Sequence, residues 1–430
     1  MLSAFVSCRF VSPIFALFLI NFVFVLSGVL FVGYFLGMQL FGAVFLYCVG
    51  FVSLVVGYSS LLVLYAPIQA PLLIVKSPVF HDLIFLLIAF LGVFFLFYDR
   101  YFMRGIDYFS LGMAGARALI NESERSGTVF SFFGNLLSYF LFLPLINVLF
   151  DWDERQRDRW VTFMLSTILA LMLSYLMGGR TVVLMFLAVI ASCLVGRKVL
   201  GLRAIPKSFS AWKVCSLILG ALFFFTFVFY LRAEAFLDGD SGRYVNNLCD
   251  HLTSFMVASG GYLWNCDIAF AGEGVGALLN YLSAVLLYGF HVLWVGDFSY
   301  YSEPRSSILM AGFSHLFLSR IGLAIPSHDY AGFFVPAVAA VYHDLGVLGV
   351  MLVFFTTGCF LVMSAFFLRS GRFFLGRYAF VVFFSVCVLS LLISPSNIPG
   401  FLILLICIFL VCAANIFFSI LRNLIRCLSL

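Results

Sequence analysis

Turn residues and clustered charge divide the chain into apolar runs at 12–36, 39–64, 80–98, 128–150, 161–177, 181–196, 214–231, 346–368, 378–394 and 401–420. A helix needs about 20 apolar residues to cross a hydrocarbon core, so the pattern predicts ten transmembrane helices. The stretch from Val161 to Val195 is too long for one span and is broken by Gly178, Gly179 and Arg180. It reads as a hairpin of two helices with those residues at the tip. Two further runs, 275–296 and 306–325, extend the expected count to between 10 and 12. Pro304, Pro326 and Pro336 punctuate that region, a pattern of short helices lying on or dipping into the membrane. Three parts follow: seven helices in 1–231, a loop region at 232–345 with membrane-associated helices, and the C-terminal helices of 346–430.

Composition strengthens this reading. Of 430 residues, 64% are hydrophobic and 10% charged, against about 25% charged in soluble domains. Mean hydropathy is +1.15. A lipid bilayer is therefore the first partner, and no nucleic-acid partner is expected. Arg9 precedes an apolar run without a small-residue cleavage site, so the first segment reads as an anchored helix.

Charge adds orientation. Under the ten-span map, 15 of the 24 basic residues, including all four lysines, fall on one side. Loops rich in Lys and Arg stay cytoplasmic, so both termini are expected in the cytoplasm. The outward segments are then 99–127, the hairpin tip at Arg180, and 232–345. The last holds ten of the 19 acidic residues and five of the six histidines.

Candidate chemistry sits in these outward segments. Arg180, Arg232, Arg243, Arg305 and Arg320 punctuate a lysine-free face. The planar, always-charged guanidinium suits phosphate; snorkelling at helix ends is the competing role, especially for Arg232 and Arg320. Histidine is the usual general base near neutral pH. His328, beside Asp329, and His343, beside Asp344, are the candidates, with a carboxylate to orient the imidazole. Asp238-Gly-Asp240 is turn chemistry in which a divalent metal is a minor alternative. No histidine pair has zinc-site spacing, so no metal is expected. Cys249 and Cys266 lie close together in the most polar region, and a disulfide is open to them if that region is exported. No P-loop, nucleophile elbow or dinucleotide fingerprint is present, which argues against ATP-driven transport by this chain alone.

The hairpin turn MGGRTVVL at 177–184, the Arg232 segment after the next span, and the large late loop resemble the Wzy-type O-antigen polymerases, which join oligosaccharide repeat units. Tyr342, Asp344, Gly346 and Gly349 resemble that family's motif at the start of a late span. The resemblance implies a GT-C-like all-α polytopic membrane fold. It also implies transfer of a growing glycan from its undecaprenyl pyrophosphate carrier to the non-reducing end of a new lipid-linked unit. No cofactor is implied, and a polysaccharide chain-length regulator is a further candidate partner. Arginines would bind the pyrophosphate leaving group, and His328, His343 or a loop carboxylate would take the acceptor proton. Tyr262, Trp264, Trp294, Tyr300 and Tyr301 are candidates to stack on sugar rings or to form an interfacial belt. The spacing from His328 to Gly346 departs from the related O-antigen ligases, which favours a polymerase over a ligase. A flippase or transporter of a lipid-linked or anionic solute is the alternative, but polar residues concentrate in outward loops instead of being spread along the spans.

Overall fold

The computed structural model describes residues 8–36, 40–65, 79–108, 116, 119, 128–153, 158–177, 181–206, 211–237, 239–258, 266, 268–271, 274–301, 308–309, 334–370, 375–394 and 398–428. Among these residues the regular structure is helical throughout. In chain order the α-helices are α1 (Cys8–Leu36), α2 (Phe41–Tyr65), α3 (Val79–Tyr98), α4 (Val129–Ser138), α5 (Phe142–Phe150), α6 (Arg159–Leu176) and α7 (Thr181–Val199). There follow α8 (Ala211–Leu237), α9 (Ser241–Ala258), α10 (Val275–Tyr301), α11 (Ala337–Ser370), α12 (Leu375–Leu389) and α13 (Pro399–Leu428).

Eight stretches of described helix are long and apolar enough to cross a membrane: Ser12–Tyr34, Phe41–Val63, His81–Met103, Val129–Phe150, Arg159–Leu176, Thr181–Val199, Val275–Tyr301 and Ala337–Ser370. Shorter apolar stretches lie in α8 (Leu222–Leu231), α12 (Gly376–Leu389) and α13 (Gly400–Ala414). The chain is an all-α, multi-pass membrane protein. The run at 275–296 is part of a continuous 27-residue helix. Of the run at 306–325, only Ile308 and Leu309 lie within the described residues. Large apolar side chains such as Phe22, Leu30, Val63, Leu87 and Phe90 are exposed on the outside of the bundle, as a hydrocarbon solvent requires.

The centre of the bundle is the contact of α2 with α11. Association inside lipid depends on close packing, because lipid tails are as apolar as the side chains. A Cβ on Gly57 would lie 2.0 Å from the Phe355 carbonyl oxygen, and one on Gly358 would lie 2.1 Å from that of Leu54. The two backbones therefore touch where only glycine fits. The α11 segment bends sharply at Gly346 (φ 67°, ψ −170°), a backbone conformation that favours glycine. Val338 before the bend and Phe354 after it both reach Gly50 of α2, so the two arms fold against one helix.

The two ends of the bundle differ in chemistry. At one end, Asn147 donates to Asp82 (2.7 Å) and accepts from Tyr378 (2.9 Å), while Arg377 pairs with Asp151 (2.9 Å). The fully buried Arg197 donates to the carbonyls of Leu149 and Phe150 (2.9 Å each) and pairs with Asp153. Arg159 donates to the Trp152 carbonyl at 3.0 Å. Guanidinium groups thus satisfy the carbonyls at and just beyond the C-terminal end of α5, where the helix dipole favours cations. This basic end is a structural knot of α3, α5, α6, α7 and α12. At the opposite end α3 finishes, α4 begins, and the α6–α7 hairpin turns. There too α12 gives way to a segment in which the Ser390 carbonyl accepts from Ala337, the first residue of α11, and the Ser394 N–H donates to Val335 just ahead of it.

Candidate functional site

The opposite end holds the described candidate residues of α11. His343 lies in the last turn before the bend at Gly346, and its Nδ1 is 3.1 Å from Asp344 Oδ1. Both side chains are nearly inaccessible, at 2% and 6%. The Asp344 carboxylate also accepts the backbone N–H groups of Ile308 (2.9 Å) and Leu309 (2.8 Å). An oxygen that already accepts an amide proton favours the tautomer in which His343 donates from Nδ1 and carries its lone pair on Nε2. Asp344 is therefore placed to orient the His343 imidazole. Beside them, Tyr342 stacks on Tyr300 (5.4 Å between ring centres) and donates to the Tyr300 carbonyl at 3.3 Å.

Arg243 is exposed in the first turn of α9, where its backbone N–H donates to Asp240 Oδ1 at 2.9 Å. Asp240 thus acts as a helix cap. Arg232 lies in α8, with its side chain outside the described residues. Arg180, Arg305, Arg320 and His328 all lie outside the described residues, as do Tyr262 and Trp264. Trp294, a candidate for sugar stacking, is instead a core residue: it is 1% exposed and donates from Nε1 to the Leu252 carbonyl at 3.0 Å. His291 is also internal, with Nδ1 on the Tyr288 carbonyl (2.7 Å) and Nε2 accepting from the Phe334 N–H (3.2 Å). Cys249 and Cys266 form a disulfide, with their Cα atoms 5.6 Å apart. It ties α9 to the returning segment, where Ile268 donates to Asn246 and Phe270 is bracketed by Asn280. Among the described residues no group of three His, Cys, Asp or Glu is placed to hold a metal ion.

A second cluster at the same end was not singled out by sequence reasoning. Helix α3 ends in a π-helical turn, Asp99–Met103, whose Asp99 and Arg100 are buried. Such turns often occur at functional sites. Asp99 pairs with Arg104 (2.9 Å) and accepts from Thr128, whose own oxygen caps α4 by accepting the Ser131 N–H at 3.0 Å. Arg100 reaches Tyr108 (3.3 Å) and the sulfur of Met177 (3.4 Å). Tyr108 donates to the Leu176 carbonyl at 2.8 Å. The signal available in the sequence was YDRYFMRG at 98–105, an acid–base pair directly at the exit of an apolar run. No protein-family model, curated protein or solved structure matches the chain.

Proposed function

We propose that this chain is a lipid-linked oligosaccharide polymerase, metal-independent and GT-C-like. It would work at the outer face of a bacterial inner membrane, with 10 to 12 spans and both termini in the cytoplasm. The observation that carries the reading is the His343–Asp344 pair, an oriented imidazole at the bundle end that also bears the α6–α7 hairpin. The resemblance of MGGRTVVL to the polymerase turn supports it, as does the lysine-free character of the segments assigned outward.

In this reaction a hydroxyl at the non-reducing end of one lipid-linked unit attacks the anomeric carbon of the growing chain. The new glycosidic C–O bond forms as the bond from that carbon to the carrier pyrophosphate breaks. His343 Nε2 takes the hydroxyl proton, and Asp344 stabilises the imidazolium. Undecaprenyl pyrophosphate leaves as an anion, with Arg180, Arg232, Arg243, Arg305 and Arg320 as the candidates to bind it. Low dielectric surroundings strengthen such contacts.

The test is elongation of lipid-linked repeat units by the purified protein. His343→Ala is expected to slow elongation by about 10²–10⁴-fold, the usual contribution of general base catalysis. Arg180→Ala should abolish long chains while leaving single units intact. Wild-type chain lengths from both variants would overturn the site and its assignment, and, in cells lacking the protein, repeat units stranded at the cytoplasmic face would favour a flippase.

A further inference from the structure

The buried arginine and tyrosine beyond α3 have no part in the chemistry just described, yet they grip one of its supports. Tyr108 Oη donates to the carbonyl of Leu176, the last residue of α6. Tyr175 Oη donates back to the Tyr108 carbonyl at 3.2 Å, and the two rings lie 5.6 Å apart. Arg100 contacts Tyr108 Oη and Met177 Sδ with separate guanidinium nitrogens. The Leu176 carbonyl is among the last four of its helix and has no continuing turn to bond to; Tyr108 fills that role from a segment 68 residues away. Burial pushes the Tyr108 phenol up to about 12, with Arg100 drawing it back, so the hydroxyl stays protonated and donating at physiological pH. The π-helical turn holds the base of this clamp: Arg104 N–H bonds to the Asp99 carbonyl and Ile106 N–H to that of Arg100, both at 3.0 Å.

We infer that Tyr108 and Arg100 are positioning residues for substrate-anion binding, locking the end of α6 at Leu176 and Met177, immediately before Gly178, Gly179 and Arg180 in the chain. This role rests on the polymerase reading. It assigns the clamp no contact with substrate. Tyr108 and Tyr175 hold the helix terminus by reciprocal hydrogen bonds, and Arg100 sets the angle of Tyr108 while seating the Met177 side chain.

The test uses the full chain in nanodiscs of phosphatidylethanolamine and phosphatidylglycerol, with undecaprenyl pyrophosphate alone as the probe. Tyr108→Phe removes one hydroxyl and keeps the ring. Loss of one buried hydrogen bond is expected to weaken binding about fivefold to tenfold and to accelerate amide exchange across 173–177 by a similar factor. Tyr175→Phe should act in the same direction. Arg100→Ala should weaken binding, and Arg100→Lys should restore part of it, a rescue that simple loss of folding would not show. Unchanged exchange and affinity in Tyr108→Phe, with wild type binding normally, would overturn the clamp alone. Wild-type protein that binds no undecaprenyl pyrophosphate would overturn the polymerase reading and this role with it, whatever the exchange data show.

Discussion

The Asp344 carboxylate meets the imidazole of His343 and the backbone N–H groups of Ile308 and Leu309. This makes it both an orienting group and an anchor for the segment that follows α10. The two roles separate by substitution. Asp344→Asn keeps one acceptor oxygen and loses the negative charge that stabilises an imidazolium, so elongation should fall while the fold persists. Asp344→Ala leaves buried amides without a partner, at a cost of about 1–3 kcal/mol for each. A thermal melt in detergent is the check. Equal melting points for Asp344→Ala and wild type would show that the anchor contributes nothing. His291 has the converse character. Both its ring nitrogens are engaged by backbone groups, and it belongs to the packing of α10 against Phe334.

At the scale of elements, α2 and α11 meet through glycine contacts too close for any side chain. Gly358→Leu would force the backbones apart along the central seam of the bundle, a loss of about 3 kcal/mol or more if the helices cannot slide. The expected outcome is a lower melting midpoint and poor recovery from the membrane. Gly220→Leu is the control, since open space surrounds that position. Matching stabilities of the two variants would refute the seam. Much of this level is legible in the chain itself, because bilayer crossing demands long apolar runs and Gly178-Gly179-Arg180 stands out within one. The nine residues of α11 ahead of Gly346 are legible as a helix-like segment of the outward region, but not their packing. Only the positive-φ glycine shows that they fold back against Gly50. The clamp of Tyr108 on Leu176 is illegible in sequence, since no local periodicity relates residues 68 positions apart.

At the scale of the whole molecule, two independent properties bear on orientation. The basic end gathers Arg159, Arg197 and Arg377, and loops bearing such charge stay in the cytoplasm. Disulfides such as Cys249–Cys266 form and persist mainly in oxidising compartments. This one lies one helical turn from Leu252, whose carbonyl receives Trp294, in the last third of α10. That third runs toward Tyr300 and Tyr301. Tyr300 packs on Gly42 and Phe45 at the start of α2, away from the basic end. Both properties therefore favour the same orientation, with the end near Tyr301 outward. A thiol reagent that cannot cross the membrane should label Tyr301→Cys in intact spheroplasts, and should label Arg203→Cys only after lysis; both positions are exposed. Replacing Cys249 by Ser opens a loop closed over 17 residues, for which chain-entropy arguments give about 3 kcal/mol. The wild-type melting point should fall to that of Cys249→Ser when a reductant is added, and the variant itself should not respond. Labelling of Arg203→Cys from outside would reverse the orientation. With it would fall the proposed role of His343, because the end of the bundle that holds the His343–Asp344 pair would then lie at the cytoplasmic side.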